Sequence, residues 1–584
     1  MKLLRWSITM AKPLWREFAL AVLLALAAIA SGIGLLATSA YLIAKAALQP
    51  SIADLQVAIV GVRFLGLSRG ILRYAERYVS HNVTFKLLAQ IRVWFYRELE
   101  PLAPAALAGR HSGDLLARII DDIETLQFLF LRVLQPPLVA ALGMLVLTFL
   151  LIPLSVQLAL LWLVLLATAG IVIPLLTNRA GRSHHRALAT LRASFKEKAV
   201  DLIQGLPDLI AFGEAKSQLE ALLDEGQLKD SRRQRLDILD AAAEGTLTGL
   251  NQLAPVAILW LAMLLLTGDQ LDGVQLTVLV VTALASFELV LPLTASLSAL
   301  QASLSASQRL FNLVDIEPPI REPATPRLTD DISPCDLEVE GLELKYTTRD
   351  LPAIHGISFS IDSGQRAALV GPSGAGKSSL FHVLLRFWDY QGGSIRLGGR
   401  DLRSLSGEDA RALFSVMSQR PMLFSGTLRE NLLLARPSAT ESELRQALAS
   451  AGAESLLEIL SHGLDTPLGE WGWHLSAGQQ RRVALARTLL QDRPYLLLDE
   501  PTANLDPAVS RKIRSDVLSA TAGKTTLYIS HDLAGMDAFD AIFVFSEGEI
   551  IQQGTHTELV AQAGLYSQLW QLQFERKQIE RELA

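Results

Sequence analysis

Glycines, a lysine and a serine at residues 371–378 form a pattern that is typical of phosphate binding. The segment reads Gly-Pro-Ser-Gly-Ala-Gly-Lys-Ser and matches the P-loop consensus. Glycines let backbone N–H groups approach phosphate oxygens, and the amino-terminal end of a following helix attracts the same anion. An apolar strand is predicted at 366–370, directly before the loop, and a helix directly after it. The predicted nucleotide ligands in this loop are Gly371, Pro372, Ser373, Gly374, Ala375, Gly376, Lys377, Ser378 and Ser379.

Four side chains in and beyond this loop predict hydrolysis of the nucleotide. Lys377 is expected to reach the β- and γ-phosphates, and the Ser378 hydroxyl to bind Mg²⁺. The apolar run 495–498 ends in two carboxylates, Asp499 and Glu500. Asp499 is suited to contact Mg²⁺ through water, and Glu500 to polarise an attacking water. The sequence therefore predicts an ATPase whose catalytic carboxylate is Glu500.

Further motifs resemble those of ABC transporter ATPases. Leu475-Ser-Ala-Gly-Gln479 resembles the family's signature, and 503–506 resembles its D-loop, with Asp506. Gln419 resembles the Q-loop glutamine, and His531 in Ile-Ser-His-Asp resembles the switch histidine. Tyr346 resembles the aromatic residue that stacks on adenine. The order of these motifs along the chain agrees with the resemblance.

The resemblance implies roles for these residues that the motifs alone do not. Gln419 would join Ser378 and Asp499 at the Mg²⁺, and His531 would act with Glu500 in hydrolysis. ATP bound to one P-loop is closed over by the signature of a second ATPase domain in this family. The chain has one of each, so a second half-transporter is the expected partner. The residues expected to act on the partner's ATP are Ser476, Gly478 and Gln479.

The distribution of charge predicts a membrane domain. Hydrophobic residues make up 50% of the 584 residues and charged residues only 19%, against about 25% in soluble domains. The deficit is local: residues 18–44, 133–178, 245–268 and 273–287 contain no Asp, Glu, Lys or Arg. A helix that crosses a bilayer needs about 20 apolar residues. The spans are therefore predicted at about 18–44, 55–75, 133–152, 155–177, 245–267 and 273–300.

Together these patterns predict an all-α six-helix transmembrane domain followed by an α/β P-loop ABC ATPase domain. The resemblance implies that the membrane domain has the type I ABC exporter fold. The composition of the segments between the spans predicts long cytoplasmic helical arms, with breaks near the glycines at 109–113 and 205–213. The prolines at 318–334 indicate a linker. The expected boundaries are 1–311 for the transmembrane domain, 312–335 for the linker, 336–575 for the ATPase domain and 576–584 for a tail.

Basic residues predict the orientation in the membrane. They precede the first span and fill the long segments after the second and fourth, so both termini and the ATPase domain are expected in the cytoplasm. A cleaved signal peptide within residues 1–44 is the alternative, but an uncharged run of this length favours a retained helix. The net charge of −6 gives no basic field for nucleic acid. The single cysteine, Cys335, excludes an internal disulfide.

Ionisable residues inside the second span are the candidate substrate site. They fall four residues apart at Arg69, Arg73, Arg77 and His81. At about 1.5 Å per residue, Arg63, Arg69 and Arg73 lie at hydrocarbon depth, where charges are costly and face a cavity or an opposite charge. Glu288 in the sixth span is the candidate partner. The alternative for Arg77 and His81 is a solvated helical arm.

The segment Arg73–Asn82, with Gly32–Ala40 and Ala285–Glu288, resembles the CydC-type subunits of the heterodimeric CydDC transporters. The resemblance implies a bacterial inner-membrane complex with a CydD-like partner, needed for cytochrome bd assembly. It implies export of glutathione or cysteine, or the binding or movement of haem. The hypothesis for the site is that His81 ligates haem b and that Arg69, Arg73 and Arg77 contact an anion.

The sequence leaves two other functions open. The chain could belong to a haem-sensing assembly factor whose ATPase drives a conformational change without net transport. It could also be a homodimeric exporter of lipids or drugs, whose cavity should be mainly apolar. The arginines of the second span argue against the homodimeric exporter.

Overall fold

The chain forms two compact units in a computed structural model. It describes residues 6, 9–10, 12–108, 115, 118–267, 271–323, 335–346, 351–469, 472, 474–503 and 507–583. The first unit comprises Met1–Leu102 and Leu107–Glu317, and the second comprises Pro318–Ala584 with Ala103–Ala106.

Helices dominate the described part of the first unit. Three short segments with wider, π-type turns interrupt them, at Arg118–Asp122, Leu129–Leu134 and Thr168–Val172. The α-helices are α1 (Trp15–Ala46), α2 (Ile52–Leu99), α3 (Ile123–Gln127), α4 (Gln135–Leu151), α5 (Val156–Ala167), α6 (Ile173–Gln204), α7 (Leu206–Ala211), α8 (Ala215–Thr267), α9 (Gly273–Ser286) and α10 (Pro292–Val314).

The described residues contain six helical runs that are long and apolar enough to cross a membrane. This confirms the predicted six-helix membrane domain. The runs are longer than the predicted spans because helices such as α2 continue as polar arms. The predicted break near 205–213 contains the short helix α7, and the break at 109–113 lies outside the described residues. The six runs are Lys12–Ala46, Ile52–Leu102, Arg118–Leu151, Val156–His184, Ala215–Thr267 and Gly273–Val314.

The second unit is an α/β domain, as predicted. Its strands are β1 (Leu337–Leu344), β2 (Ile354–Ile361), β3 (Arg366–Val370), β4 (Gly392–Leu397), β5 (Arg400–Asp401), β6 (Phe414–Met417), β7 (Tyr495–Asp499), β8 (Thr525–Ile529), β9 (Ala541–Ser546) and β10 (Glu549–Gly554). Its helices are α11 (Lys377–Leu384), α12 (Gly407–Ala412), α13 (Leu428–Leu433), α14 (Glu441–Ser450), α15 (Leu456–Ile459), α16 (Ala477–Leu490), α17 (Pro507–Ala520), α18 (His556–Ala561) and α19 (Leu565–Leu583).

Two sheets organise this unit. One has the order β2-β1-β4-β5 and is antiparallel. The other has the order β10-β9-β3-β8-β7-β6, in which all neighbours except β10 and β9 are parallel. Every residue of β7 and β8 is buried, as expected for central parallel strands covered on both faces. The apolar run before Asp499 is therefore a core strand.

The sixth span is broken near its middle. A short 3-10 segment, Phe287–Leu289, separates α9 from α10. Pro292 explains the break, because in a continuous helix its ring would clash with the carbonyl of Glu288, four residues earlier. Phe287 and Leu289 are buried on either side of Glu288, whose side chain is 32% exposed. The predicted span at 273–300 lies within the run Gly273–Val314, and the break inside it singles out Glu288.

Two glycines on neighbouring spans leave room for the side chains at this break. A Cβ atom on Gly143 of α4 would overlap the Leu289 side chain. A Cβ atom on Gly170 would lie 2.7 Å from Cδ1 of Leu293 and 3.0 Å from Cγ1 of Val290. Val290 is β-branched and fully buried, so it has little freedom to move away. The position of Glu288 thus depends on the absence of side chains at two other helices.

We expect Gly170→Ala to destabilise the membrane unit. The added methyl group forces Val290 and Leu293 to shift, and such overpacking costs about 1–3 kcal/mol. Thermal unfolding of the purified protein should show a melting temperature lower by roughly 3 °C or more. Gly249→Ala on α8 is the matched control, since a Cβ atom there meets no described atom within 4 Å. Equal melting temperatures for the two variants would contradict the role given to Gly170.

Candidate functional site

The strand order of the larger sheet gathers the predicted ATP site at one edge. The carboxyl ends of β3, β8, β7 and β6 are adjacent, and ligands of open parallel sheets bind at this edge. The P-loop follows β3, and His531 follows β8. Asp499 ends β7 with Glu500 directly after it, and Gln419 follows β6. Residues that are far apart in sequence are therefore neighbours here.

The P-loop has the backbone that its glycines predict. Gly376, with φ +99°, precedes α11, which begins at Lys377. Gly371 has φ +143°, and a Cβ atom there would overlap the carbonyl oxygen of Phe545. Lys377 Nζ donates hydrogen bonds to the carbonyl oxygens of Gly371 at 2.9 Å and Pro372 at 2.8 Å. The ammonium group is thus held inside the loop, where phosphate oxygens would replace these carbonyls as acceptors.

Buried charges lie beside the loop. Burial lowers the pKa of Lys377, while the negative charges of Glu500 and Asp499 act in the opposite direction. Burial raises the pKa of Asp499, and a hydrogen bond with Ser378 opposes that rise. Asp499 Oδ1 is buried and has no hydrogen-bond partner among the described residues. A cation would satisfy this oxygen, so Ser378 and Asp499 fit the Mg²⁺ that the family requires.

Glu500 is held by two other predicted residues. Gln419 Nε2 donates a hydrogen bond to Glu500 Oε1 at 3.0 Å. His531 Nε2 lies 3.0 Å from the same oxygen. The Glu500 backbone has φ +50°, and its N–H bonds to the carbonyl of Ile529 at 3.1 Å. The side chain is 14% exposed, so it is fixed in direction but still reached by water.

The remaining predicted ATP ligands occupy two other places. The Tyr346 ring lies 5.4 Å from the Trp388 ring, and its hydroxyl is 3.2 Å from Nδ1 of His382. Ser476 caps α16: its hydroxyl accepts from the N–H of Gln479, whose side chain bonds back to the N–H of Ser476. Gly478 lies in the first turn of the same helix. Asp506 lies outside the described residues.

Arg481 is a residue of this site that the sequence reasoning missed. It follows the signature on α16, and its guanidinium donates to the carbonyl of Gln419 at 3.0 Å and to that of Ala503. It thereby connects the Q-loop to the first residue of the D-loop segment. The only signal in the sequence was an arginine two residues after the signature, and bonds to backbone carbonyls need no matching residue type.

In the membrane unit, the structure brings two arginines of α2 to Glu288. Arg73 Nη2 lies 2.6 Å from Glu288 Oε1, and Arg69 Nη2 lies 3.4 Å from the same oxygen. Gly32 of α1 makes room for them, since a Cβ atom there would lie 3.2 Å from Arg69 Nε and 3.4 Å from Glu288 Oε2. We call Arg69, Arg73 and Glu288 the membrane charge cluster. Gly32 was not among the predicted site residues.

The other predicted residues of α2 lie outside this cluster. Arg63, Arg77 and His81 are exposed, and among the described residues the side chains that donate hydrogen bonds to Glu288 are those of Arg69 and Arg73. The His81 ring lies 6.4 Å from the Phe85 ring. Because His81 is exposed, this chain alone does not enclose a haem there.

Family models of known proteins match both units of the chain. Residues 354–503 match the family model described as ABC transporter, and residues 18–290 match the model described as ABC transporter transmembrane region. The chain belongs to the ABC transporter family. It is a multi-pass inner-membrane protein that binds ATP and couples ATP hydrolysis to transport.

Similar proteins include two that are named for glutathione and L-cysteine transport. The glutathione/L-cysteine transport system protein CydC of Escherichia coli (strain K12) is 35% identical over 94% of this chain and 96% of that protein. The corresponding CydD of Bacillus subtilis (strain 168) is 32% identical over 98% of this chain and 99% of that protein. An ATP-dependent lipid A-core flippase of Vibrio parahaemolyticus is 31% identical over 87% of this chain and 86% of that protein.

A solved structure supports the fold. A bacterial Atm1-family ABC exporter with ATP bound superposes with a TM-score of 0.79, covering 96% of this chain and 98% of that chain at 23% identity. The predicted fold class, six apolar helices followed by an α/β ATPase domain, is confirmed.

We expect Glu500→Gln to abolish turnover and to leave ATP binding intact. The amide keeps the size of the side chain but cannot accept a proton from water, and such a loss costs at least about 100-fold. Phosphate release and the affinity for labelled ATP are the two measurements. Glu549→Gln is the control, because Glu549 also lies beside a histidine, His355, at 3.2 Å, but on a strand outside the site. Undiminished phosphate release would refute the assignment of Glu500.

Proposed function

We propose that this chain is the CydC-like half of a heterodimeric exporter of low-molecular-weight thiols, glutathione or cysteine, that supports cytochrome bd assembly. The membrane charge cluster carries the proposal. Two of the similar proteins are named for glutathione and L-cysteine transport, which agrees with a substrate that the cluster can bind. The expected partner is a CydD-like half-transporter, with both termini and the ATPase domain in the cytoplasm.

The cluster contains two guanidinium groups and one carboxylate. Arg73 makes the short contact with Glu288, and Arg69 makes a longer one, so one positive charge is left in excess. The side chains of Arg69 and Arg73 are 34% and 52% exposed and are open to a ligand. Guanidinium groups bind carboxylates through paired N–H donors. A substrate carboxylate is therefore the ligand that balances the excess charge.

Glu288 adds a second requirement. When a substrate carboxylate takes over the arginines, the Glu288 carboxylate needs a new cation, and an ammonium group on the substrate provides it. Cysteine and the γ-glutamyl end of glutathione each carry a carboxylate and an ammonium on one carbon atom. Haem has two propionates and no ammonium, so Glu288 would repel it. The cluster favours the zwitterionic thiols.

In the ATPase unit, we assign the roles as follows. Glu500 accepts a proton from the attacking water, and Gln419 and His531 hold its carboxylate in place. Lys377 binds the β- and γ-phosphates, and Tyr346 stacks on the adenine. Ser378, Asp499 and Gln419 would hold Mg²⁺, whose charge would offset that of the phosphates. Ser476, Gly478 and Gln479 act on the ATP of the partner subunit.

The zwitterion requirement predicts which thiols the purified complex recognises. We expect cysteine to stimulate the ATPase, whereas 3-mercaptopropionate, which lacks the ammonium group, should need about tenfold higher concentration. Glu288→Gln should remove most of this preference because the carboxylate partner of the ammonium is gone. The measurement is the half-maximal concentration of each thiol for ATPase stimulation, followed by uptake of labelled cysteine and glutathione into inverted vesicles.

The control variant is Glu98→Gln, an exposed glutamate near the end of the same helix α2. It should keep the wild-type preference for cysteine. If Glu288→Gln also keeps it, the cluster does not read the ammonium group. If neither thiol is taken up by inverted vesicles but ATPase stimulation persists, the chain belongs to an assembly factor without net transport. Stimulation by lipid alone would favour a flippase.

Haem b is a second candidate ligand, at a different place. His81 is exposed on α2, eight residues after Arg73, and a neutral imidazole is a common axial ligand. Because this chain does not enclose the imidazole, the rest of such a site would come from a partner subunit. The role of haem would be that of a regulator or a transported molecule.

We expect haem added to the purified complex to give a Soret band that His81→Ala shifts or removes. Loss of the imidazole changes the axial ligation, and the spectrum reports that ligation directly. His355→Ala, which removes an exposed histidine of the ATPase unit, is the control and should leave the band unchanged. An identical spectrum for His81→Ala would exclude the ligand role.

A further inference from the structure

The carboxy-terminal helix holds the loop that carries His531. Gln573 on α19 donates a hydrogen bond from Nε2 to the carbonyl oxygen of His531 at 2.6 Å. Its Oε1 accepts one from the N–H of Leu533 at 2.9 Å. One side-chain amide therefore binds the backbone on both sides of Asp532. Both polar ends of the amide are used, which fixes the loop in two directions.

The start of α19 is itself anchored. Tyr566 is fully buried, its hydroxyl lies 2.7 Å from Nδ1 of His556, and its N–H bonds to Oε1 of Gln552 at 3.1 Å. The Trp570 ring lies 4.7 Å from the His556 ring. Residues four and seven positions after Tyr566 share its helix face, so Tyr566, Trp570 and Gln573 form one face. The anchored face sets the position of Gln573.

The loop has a second support that acts on a different group. Arg514 of α17, which is buried, lies 3.4 Å from the carboxylate of Asp532. This contact holds a side chain of the loop, whereas Gln573 holds its backbone. The backbone at residue 531 determines where the imidazole of His531 points.

We propose that Gln573 is a positioning residue for ATP hydrolysis, acting through His531. The contact it protects is the 3.0 Å approach of His531 Nε2 to Glu500 Oε1. A hydrogen bond weakens when the donor–acceptor distance lengthens and when its angle departs from linear. A loop whose backbone has lost its hydrogen bonds to Gln573 therefore loses this contact. The carboxy-terminal helix thereby controls the catalytic carboxylate without touching ATP. Displacement of α19 slows hydrolysis while leaving nucleotide binding in place.

The test is Gln573→Met in the full-length chain assembled with its partner. Methionine keeps the length of the side chain and favours a helix, but it removes both hydrogen bonds. We expect kcat for ATP to fall about five- to twentyfold, as for the loss of two net hydrogen bonds, with an unchanged KM. Gln573→Glu, which keeps the acceptor for Leu533 but loses the donor to His531, should also lower kcat. Gln571→Ala, an exposed glutamine of the same helix, should have no effect.

A double variant separates positioning from general stability. Because Gln573 acts through His531, the double variant His531→Ala with Gln573→Met should turn over at the rate of His531→Ala alone. An unchanged kcat in Gln573→Met overturns the proposal. So does an equal loss in Gln571→Ala, a further loss in the double variant, or a raised KM with unchanged kcat. If Gln573→Met also lowers the melting temperature, the kcat of Gln573→Glu is the deciding measurement, because that variant retains the bond to Leu533. A lowered kcat in Gln573→Glu supports the proposal, and an unchanged kcat overturns it.

Discussion

A charge kept away from bulk water needs an opposite charge or a polar partner, and this requirement organises both units. Lys377 meets it with two carbonyl oxygens of its own loop. Asp499 meets it in part, since Oδ1 has no partner among the described residues. In the membrane unit, Arg69 and Arg73 share the single carboxylate of Glu288. At each site the unmatched charge has the sign opposite to that of the expected ligand, a cation at Asp499 and a carboxylate at the arginines.

The two sites differ in the free-energy cost of leaving a charge without a partner. Burial raises the pKa of Asp499, which means that the ionised form is costly until a cation binds. The arginines are a third to a half exposed, so their excess charge is partly solvated and costs less. The second arrangement suits the role proposed for the cluster in binding and releasing a transported molecule, because tight binding would slow release. A site for a phosphate-bound metal tolerates the first.

Local patterns predicted the elements, but only some of the contacts between elements. The strand–loop–helix around 366–384 and the six apolar runs follow from short-range composition, which the structure preserves. The pairing of Glu288 with arginines of α2 could be anticipated because charges at membrane depth need partners. The break in the sixth span could not be anticipated, since it depends on Pro292 together with the space left by glycines on other helices. Arg481 and Gln573 act on backbone atoms, which leave no signal in the residue types of their partners.

The break in the sixth span and the end of β7 share one property: in each, an irregular backbone segment carries a carboxylate. A regular helix would carry Glu288 among the buried residues that flank it, and a regular strand would turn Glu500 to one face of the sheet. Instead, Glu288 lies on a 3-10 segment, and Glu500 has φ +50°, a conformation that costs free energy for a residue other than glycine. The surrounding contacts hold each irregular segment in place: Val290 and Leu293 packed against Gly170 in one unit, and the bonds of Glu500 to Ile529, Gln419 and His531 in the other. In both units, packing on one side of an irregular backbone directs a carboxylate to the other side, where the proposed ligand would bind.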